Sequence, residues 1–149
     1  MIPRWREMSE EMGVAVTTKH YQGGCLCGWI RFRAAAPADN PHACSCKNCQ
    51  RHTGALSAVW LEFPRDRVEW TGPGGAPAVY RSSAYSSRAF CARCGSSVGA
   101  VDDAPTIALL LGGLDDCHPP ELAPAAHAFA DGKPAWWREQ VDEAGSGQD

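Results

Sequence analysis

Apolar and polar positions alternate over short stretches of this chain and never sustain a helical repeat. The clearest case is Trp29, Ile30 and Phe32, which are apolar, with Arg31 and Arg33 set between and after them. A near period of two is the signature of a strand with one buried face. It predicts a strand over Gly28–Ala34. Similar short runs, each bounded by turn residues, predict strands at His20–Gly23, Leu56–Phe63, Val68–Trp70, Ala78–Arg81, Ser87–Phe90, Ser97–Val101 and Thr106–Leu111. Pro37, Pro41, Pro64, Pro73, Pro77, Pro105, Pro119 and Pro120 fall mostly in the gaps between them. The 11 prolines and 15 glycines argue against a helical bundle. One helical turn is expected after Cys46, from Lys47 to His52. The pattern as a whole predicts a mainly β domain of short antiparallel strands, with chemistry carried on loops. Residues 1–18 read as a flexible N-terminal extension, with a short helix around Trp5 to Met12. Residues 19–140 read as a single domain, and the polar, Gly/Ser-rich stretch 141–149 as a disordered tail.

Composition narrows the partners. A chain of 149 residues is long enough for one domain with a proper core, and 44% hydrophobic with 21% charged residues is ordinary for a globular protein. The formal charge is −3, and the basic residues form neither a run nor an aromatic-interleaved ladder, so no nucleic acid is expected. The best apolar run, Ile107–Leu111 (IALLL), is far too short to span a membrane. The N-terminal stretch carries Arg4, Arg6, Glu7, Glu10 and Glu11 with no apolar segment, and so does not resemble a secretory signal. The expected location is cytoplasmic, where disulfides are rare and clustered cysteines bind metal or do chemistry.

The cysteines carry the strongest signal. Seven of the 8 fall into three tight groups: Cys25 and Cys27 in "GGCLCGWIRF", Cys44, Cys46 and Cys49 in "HACSCKNCQRHTG", and Cys91 and Cys94 in "FCARCGS". Cysteines one or two residues apart sit on a tight turn and can aim both sulfurs at one ion, whereas a disulfide across so short a loop is strained. Gly28 and Gly95 follow the outer pairs and permit the left-handed backbone of a knuckle turn. Cys25, Cys27, Cys91 and Cys94 together would complete a tetrahedral all-cysteine site that staples an early hairpin to a late one. The middle triplet then has three sulfurs. It is either an open site of the kind zinc uses for chemistry or a structural site completed by a non-cysteine ligand. His42 and His52 are local donors, and His118 or His127 could come from the C-terminal part. Cys117 stands apart and reads as a small buried hydrophobe, or as a residue approaching the open site from its CHPP loop.

The motifs GGCxCG, CxCxxC followed by Gln-Arg-x-x-Gly-Ala, and FCxxCGS resemble those of the glutathione-dependent formaldehyde-activating enzymes. "LDD" (Leu114 to Asp116) and "HAFADGKPAWW" (His127 to Trp137) resemble that family's closing segments. The similarity runs from about Tyr21 to Trp137. It implies a β-tent fold with two zincs per chain: a structural zinc on Cys25, Cys27, Cys91 and Cys94, and a catalytic zinc on Cys44, Cys46 and Cys49 whose fourth position can take a substrate thiol. The implied activity is condensation of glutathione with formaldehyde to S-hydroxymethylglutathione, of the carbon–sulfur lyase class.

The chemistry of three thiolates agrees with thiol activation. They leave a Zn²⁺ centre at −1, which disfavours hydroxide generation but tolerates a soft thiolate whose pKa the metal lowers. Seven thiolates and two zincs would move the formal charge from −3 to −6. An anionic thiol such as glutathione then needs local positive charge, for which Arg51 is the first candidate and Lys47 the second. Trp136 and Trp137 are expected to pack in the core or at its edge, and Asp102-Asp103 and Asp115-Asp116 to serve turns and caps. Two other functions fit the same residues: a non-catalytic two-zinc binding module, and a carbon–sulfur lyase acting on a different thiol adduct.

Overall fold

The computed structural model describes residues 19–139 and 141. The expected N-terminal extension and nearly all of the expected tail lie outside those residues.

The period-two stretch folds as expected. Strand β1 (His20–Gly24) pairs antiparallel with β2 (Arg31–Ala35), matching Tyr21 with Ala34 and Gly23 with Phe32. Ile30, Phe32 and Ala34 are buried, while Arg31 and Arg33 face outward. There Arg31 meets Asp115 through a bidentate pair, and Arg33 meets Glu69 at 3.4 Å on the neighbouring strand. β2 begins at Arg31 rather than Gly28 because Cys25 to Ile30 form the turn that carries the first cysteine pair, closed by Cys25 N–H donating to the Ile30 carbonyl at 3.0 Å.

The remaining elements, in chain order, are β3 (Asp39–Cys44), α1 (Lys47–Thr53), β4 (Ala58–Pro64), β5 (Val68–Trp70), β6 (Ala78–Arg81), β7 (Ser86–Phe90), β8 (Ser97–Asp102), β9 (Thr106–Leu110) and β10 (Ala126–Ala128). They form two sheets. One has the order β1-β2-β5 and the other β10-β3-β4-β9-β8-β7-β6. Every pairing is antiparallel except β10 with β3. This is the mainly β, β-tent arrangement that the sequence motifs imply.

Two strands escape the sequence pattern. β3 contains Asp39, Asn40 and Pro41, all poor strand formers, and its pairing with β4 is irregular between Asp39 and His42. β10 is three residues long and is held by its partner rather than by any pattern of its own. The two exposed tryptophans depart from expectation as well. Trp136 and Trp137 are 76% and 46% exposed and pack edge-to-face on each other, not in the core.

β4 explains the layering. Leu61 and Phe63 point to one face and join Tyr21, Ile30, Phe32, Ile107 and Leu109 in the main core. Ala58 and Trp60 point to the other face and join Cys44, Cys49 and Ala100 in a smaller core. Fully burying side chains such as Phe32 and Phe63 contributes about 1.5–3 kcal/mol each. A strand that is apolar on both faces therefore anchors one cysteine cluster on each side of itself.

Candidate metal centres

The outer cysteines converge as their spacing requires. Cys25 and Cys27 lie on the turn after β1, and Cys91 and Cys94 on the turn after β7. Gly28 (φ 78°) and Gly95 (φ 81°) hold the left-handed positions that close these knuckles. Backbone N–H groups point at the sulfurs: Ile30 N to Cys25 Sγ at 3.3 Å, and Arg93 N and Cys94 N to Cys91 Sγ, both at 3.4 Å. Such donors stabilise thiolate. The Ser96 hydroxyl, 3.2 Å from Cys94 Sγ, helps bring that thiol down to about 5.

A zinc ion with bonds of about 2.3 Å to four sulfurs sets them about 3.8 Å apart. Cys25 and Cys27 sulfurs are 3.6 Å apart, and those of Cys27 and Cys91 3.8 Å. All four sulfurs lie within 4.8 Å of one another, and all eight cysteines are free thiols. The donor set and its spacing fit a soft divalent ion. Cys91 is fully buried in the main core, with Cys25 and Cys94 packed against it.

The triplet is built differently. Cys44 ends β3, Cys46 caps α1, and Cys49 sits in the first turn of that helix. Cys46 Sγ accepts the Cys49 N–H at 3.4 Å, so the ligand loop doubles as a helix cap. Gly54 ends the helix, its N–H donating to the Gln50 carbonyl at 2.7 Å. The three sulfurs again lie within 4.8 Å of one another. Burial pushes the Cys44 thiol up to about 12 and raises Cys49 as well.

No histidine, aspartate or glutamate joins either group among the described residues. None of the histidine candidates joins the triplet. His42 Nδ1 lies 2.8 Å from the Asn40 carbonyl, and His118 Nδ1 3.0 Å from Asp116 Oδ1. His127 Nε2 lies 2.7 Å from Ser45 Oγ, and His52 stacks flat on Trp60. Burial and then the charge of Arg88 keep the His52 pKa below its usual value. Cys117 is exposed and belongs to neither cluster, so the expectation that it is buried does not hold.

The closing segment fastens the triplet from behind. Ser45, between two of the cysteines, is buried and bonds to Ser57 and His127, both at 2.7 Å, while its N–H donates to the Ala128 carbonyl at 3.0 Å. Gln50 donates to the carbonyls of Leu56 and Gly132, both at 3.1 Å. A Cβ on Gly132 would fall 2.2 Å from the Ser45 carbonyl oxygen, so only glycine allows this approach. The Gln of the motif and the late ADG are thus one structural device.

Two cavities flank α1. One of about 840 Å³ is lined by Arg51, His52, Cys25, Leu26 and the 95–97 turn. The other, about 460 Å³, is lined by Arg51, His52, Asn48 and, from β7, Arg88. Arg51 is exposed at the rim of both, whereas Lys47 lines neither. Arg88, which sequence reasoning missed, brings Nη1 to 3.8 Å from Cys49 Sγ and lies 5.4 Å from the Trp60 ring centre. The only trace of it in the sequence is an arginine inside a predicted strand.

The profile of the glutathione-dependent formaldehyde-activating enzyme family matches residues 20–132, which contain every cysteine of both clusters. The chain belongs to this family. Three relatives carry the family's name provisionally. The one from Podospora anserina is 29% identical, covering 56% of this chain and 42% of its own length, and the one from Phaeosphaeria nodorum is 30% identical, at 56% and 46%. The chain thus spans less than half the length of these two. The one from Halomonas elongata is 26% identical over 77% of this chain and 78% of its own. A crystal structure of a Rhodobacter sphaeroides protein shares the fold at 17% identity and a TM-score of 0.54, covering 72% of this chain and 99% of that one. This formaldehyde-activating family protein presents two cysteine clusters that can hold metal. Among the described residues, no helix is long and apolar enough to cross a membrane.

Proposed function

We propose that this protein is a zinc-dependent enzyme of the carbon–sulfur lyase class, which activates a thiol such as glutathione at Cys44, Cys46 and Cys49 for addition to formaldehyde or a related aldehyde. The observation that carries this reading is the three-sulfur cluster with no fourth protein donor among the described residues. In the other cluster, four sulfurs complete a set and serve structure. Cys44, Cys46 and Cys49 would hold a zinc ion with one position open to exchange, and the ion would lower the pKa of a thiol bound there.

The chain's own residues supply the rest. The Cys49 N–H steadies the Cys46 thiolate, and Arg88 offsets the negative charge beside Cys49. Arg51, at the rim of both cavities, attracts the anionic thiol and orients it. The thiol sulfur forms the new bond to the aldehyde carbon, and the proton it gave up ends on the aldehyde oxygen. The reaction needs no redox partner, and it is confined to a cytoplasmic setting in which glutathione is plentiful.

The test is exchange spectroscopy on glutathione and ¹³C-formaldehyde, which reports the rate of adduct formation at equilibrium. The two-zinc protein accelerates exchange above the spontaneous rate. Equal rates with and without it would return the chain to the binding-module reading. Faster exchange with another thiol or aldehyde alone would point to a different adduct. Arg51→Ala raises the apparent thiol KM about tenfold with little change in kcat, as expected for loss of a charge-assisted contact. An unchanged KM would remove Arg51 from the site.

A further inference from the structure

The two sheets leave a gap where β5 of the smaller meets β6, β8 and β9 of the larger. A cavity of about 280 Å³ sits in that seam, and no cysteine lines it. Buried Ile107 forms its floor, half-buried Val68, Trp70 and Val101 its walls, and exposed Val79 part of its rim. Arg65 is the one charged residue of the lining. Across such a gap the apolar walls forgo the dispersion contacts that a filled core would give them. The walls are nevertheless fixed. Trp70 packs edge-on against the buried Phe32, with ring centres 6.1 Å apart. Pro77 ends the GPGGAP turn, Gly72–Pro77, which is pinned at its middle. There the Gly74 N–H donates to the Trp29 carbonyl at 2.8 Å, and a Cβ on Gly74 would fall 2.4 Å from the Trp29 indole nitrogen. The Arg65 N–H donates to the Pro105 carbonyl at 3.0 Å, which holds that residue at the mouth. Its guanidinium makes no hydrogen bond or ion pair among the described residues. Asp103 feels the charge of Arg65, but Arg81 already grips both its oxygens, at 2.7 and 2.6 Å.

We propose that this seam cavity is a second ligand site, which takes a small apolar carboxylate with its ring or short chain against Trp70 and Val101 and its acid group on Arg65. The volume lies at the low end of small-molecule pockets, which fits one ring or a short chain and excludes a peptide segment. An apolar lining with a few fixed polar groups is the usual make-up of such pockets. The single cation at the mouth, with no acid in the lining, selects an anion, and its planar fork matches a carboxylate. Walls held in place before the ligand arrives lower the entropic cost of binding. None of these residues takes part in the thiol chemistry proposed for the triplet, so the two readings stand or fall separately.

The experiment uses the two-zinc protein with labelled methyl groups and three probes: phenylacetate, its neutral isostere phenylacetamide, and acetate. Phenylacetate shifts the methyl resonances of Val68, Val79, Val101 and Ile107 saturably. Phenylacetamide moves the same resonances with about fivefold weaker affinity, as loss of one charge-assisted contact at a partly exposed mouth warrants. Acetate, which has the charge without the apolar body, moves none of them. Arg65→Gln brings phenylacetate down to the affinity of the amide and leaves the amide where it was. Because Arg65 is exposed, this variant keeps the fold, and an unchanged methyl spectrum without ligand confirms it. Absence of a saturable shift with phenylacetate would overturn the proposal. So would equal affinities for acid and amide in the unaltered protein, a preference for the acid that survives Arg65→Gln, or shifts with acetate as large as those with phenylacetate.

Discussion

Four cysteine sulfurs gather against the main core and three against the smaller one, on the two sides of β4. The quartet joins two turns more than sixty residues apart, and one of its members, Cys91, is as buried as Leu61 or Phe63. The triplet draws its sulfurs from one stretch of six residues and is braced by polar contacts from Ser57, His127 and Gly132. On the proposed reading, the complete set inside the core is a staple and the incomplete set, braced from behind, is a site that exchanges a ligand. What separates the two clusters is the number of sulfurs and the packing around them.

The largest effect should come from breaking the quartet. Structural zinc contributes roughly 10–16 kcal/mol in small domains, which matches or exceeds the net stability of a typical fold. Cys91→Ser should therefore abolish cooperative unfolding and the β-sheet circular dichroism spectrum. A folded Cys91→Ser protein with normal thermal stability would show that the quartet is not a staple. Cys49→Ser is the matched change on the other side. It should remove one zinc and lower thiol exchange by at least about a hundredfold, while the melting temperature falls by roughly 5 °C. Equal collapse of both variants would erase the distinction.

Acid should separate the clusters next. The triplet would hold an ion with one sulfur fewer, so protons competing for its thiolates should displace the metal there at a higher pH than in the quartet. Metal release followed with a chromogenic chelator should run in two steps, the earlier one ending thiol binding and leaving the fold intact. Loss of the fold in the first step would reverse the assignment.

The smallest effect concerns the tie between β2, just after the first knuckle, and the LDD segment. Arg31 holds the Asp115 carboxylate below its usual pKa. That contribution is present above the unfolded aspartate pKa of about 3.9 and is lost as pH falls through the lower folded value. Both partners are partly exposed, so Asp115→Asn should cost only about 0.5 kcal/mol at neutral pH. The cost should vanish in strong acid. A cost that persisted there would mean Asp115 acts through packing rather than charge.

Local chemistry explains which of these features could be read from the sequence. Knuckle spacing brings sulfurs together whatever the rest of the chain does, and Phe32 between two arginines fixes its own strand face. The helix after Cys46 was equally legible, because its cap and its terminating glycine are neighbours in sequence. β3 was not, since Pro41 and Asn40 obey a long-range pairing that no local pattern records. Arg88 was out of reach for the same reason, and His127 was legible as a possible ligand but not as the partner of Ser45. Each gains its role only when the sheet brings it to a triplet some forty or eighty residues away. The exposure of Cys117 and Trp136 likewise depends on what fails to cover them.

The most direct test is cadmium-113 NMR of the protein with both sites loaded by cadmium, which shares the preference of zinc for sulfur. The account predicts two resonances, one for each cluster. Added glutathione should shift only one of them, and Cys49→Ser should remove that one. If neither resonance moves with glutathione, or if both move together, the triplet is not an open thiol site and the division of labour between the clusters fails.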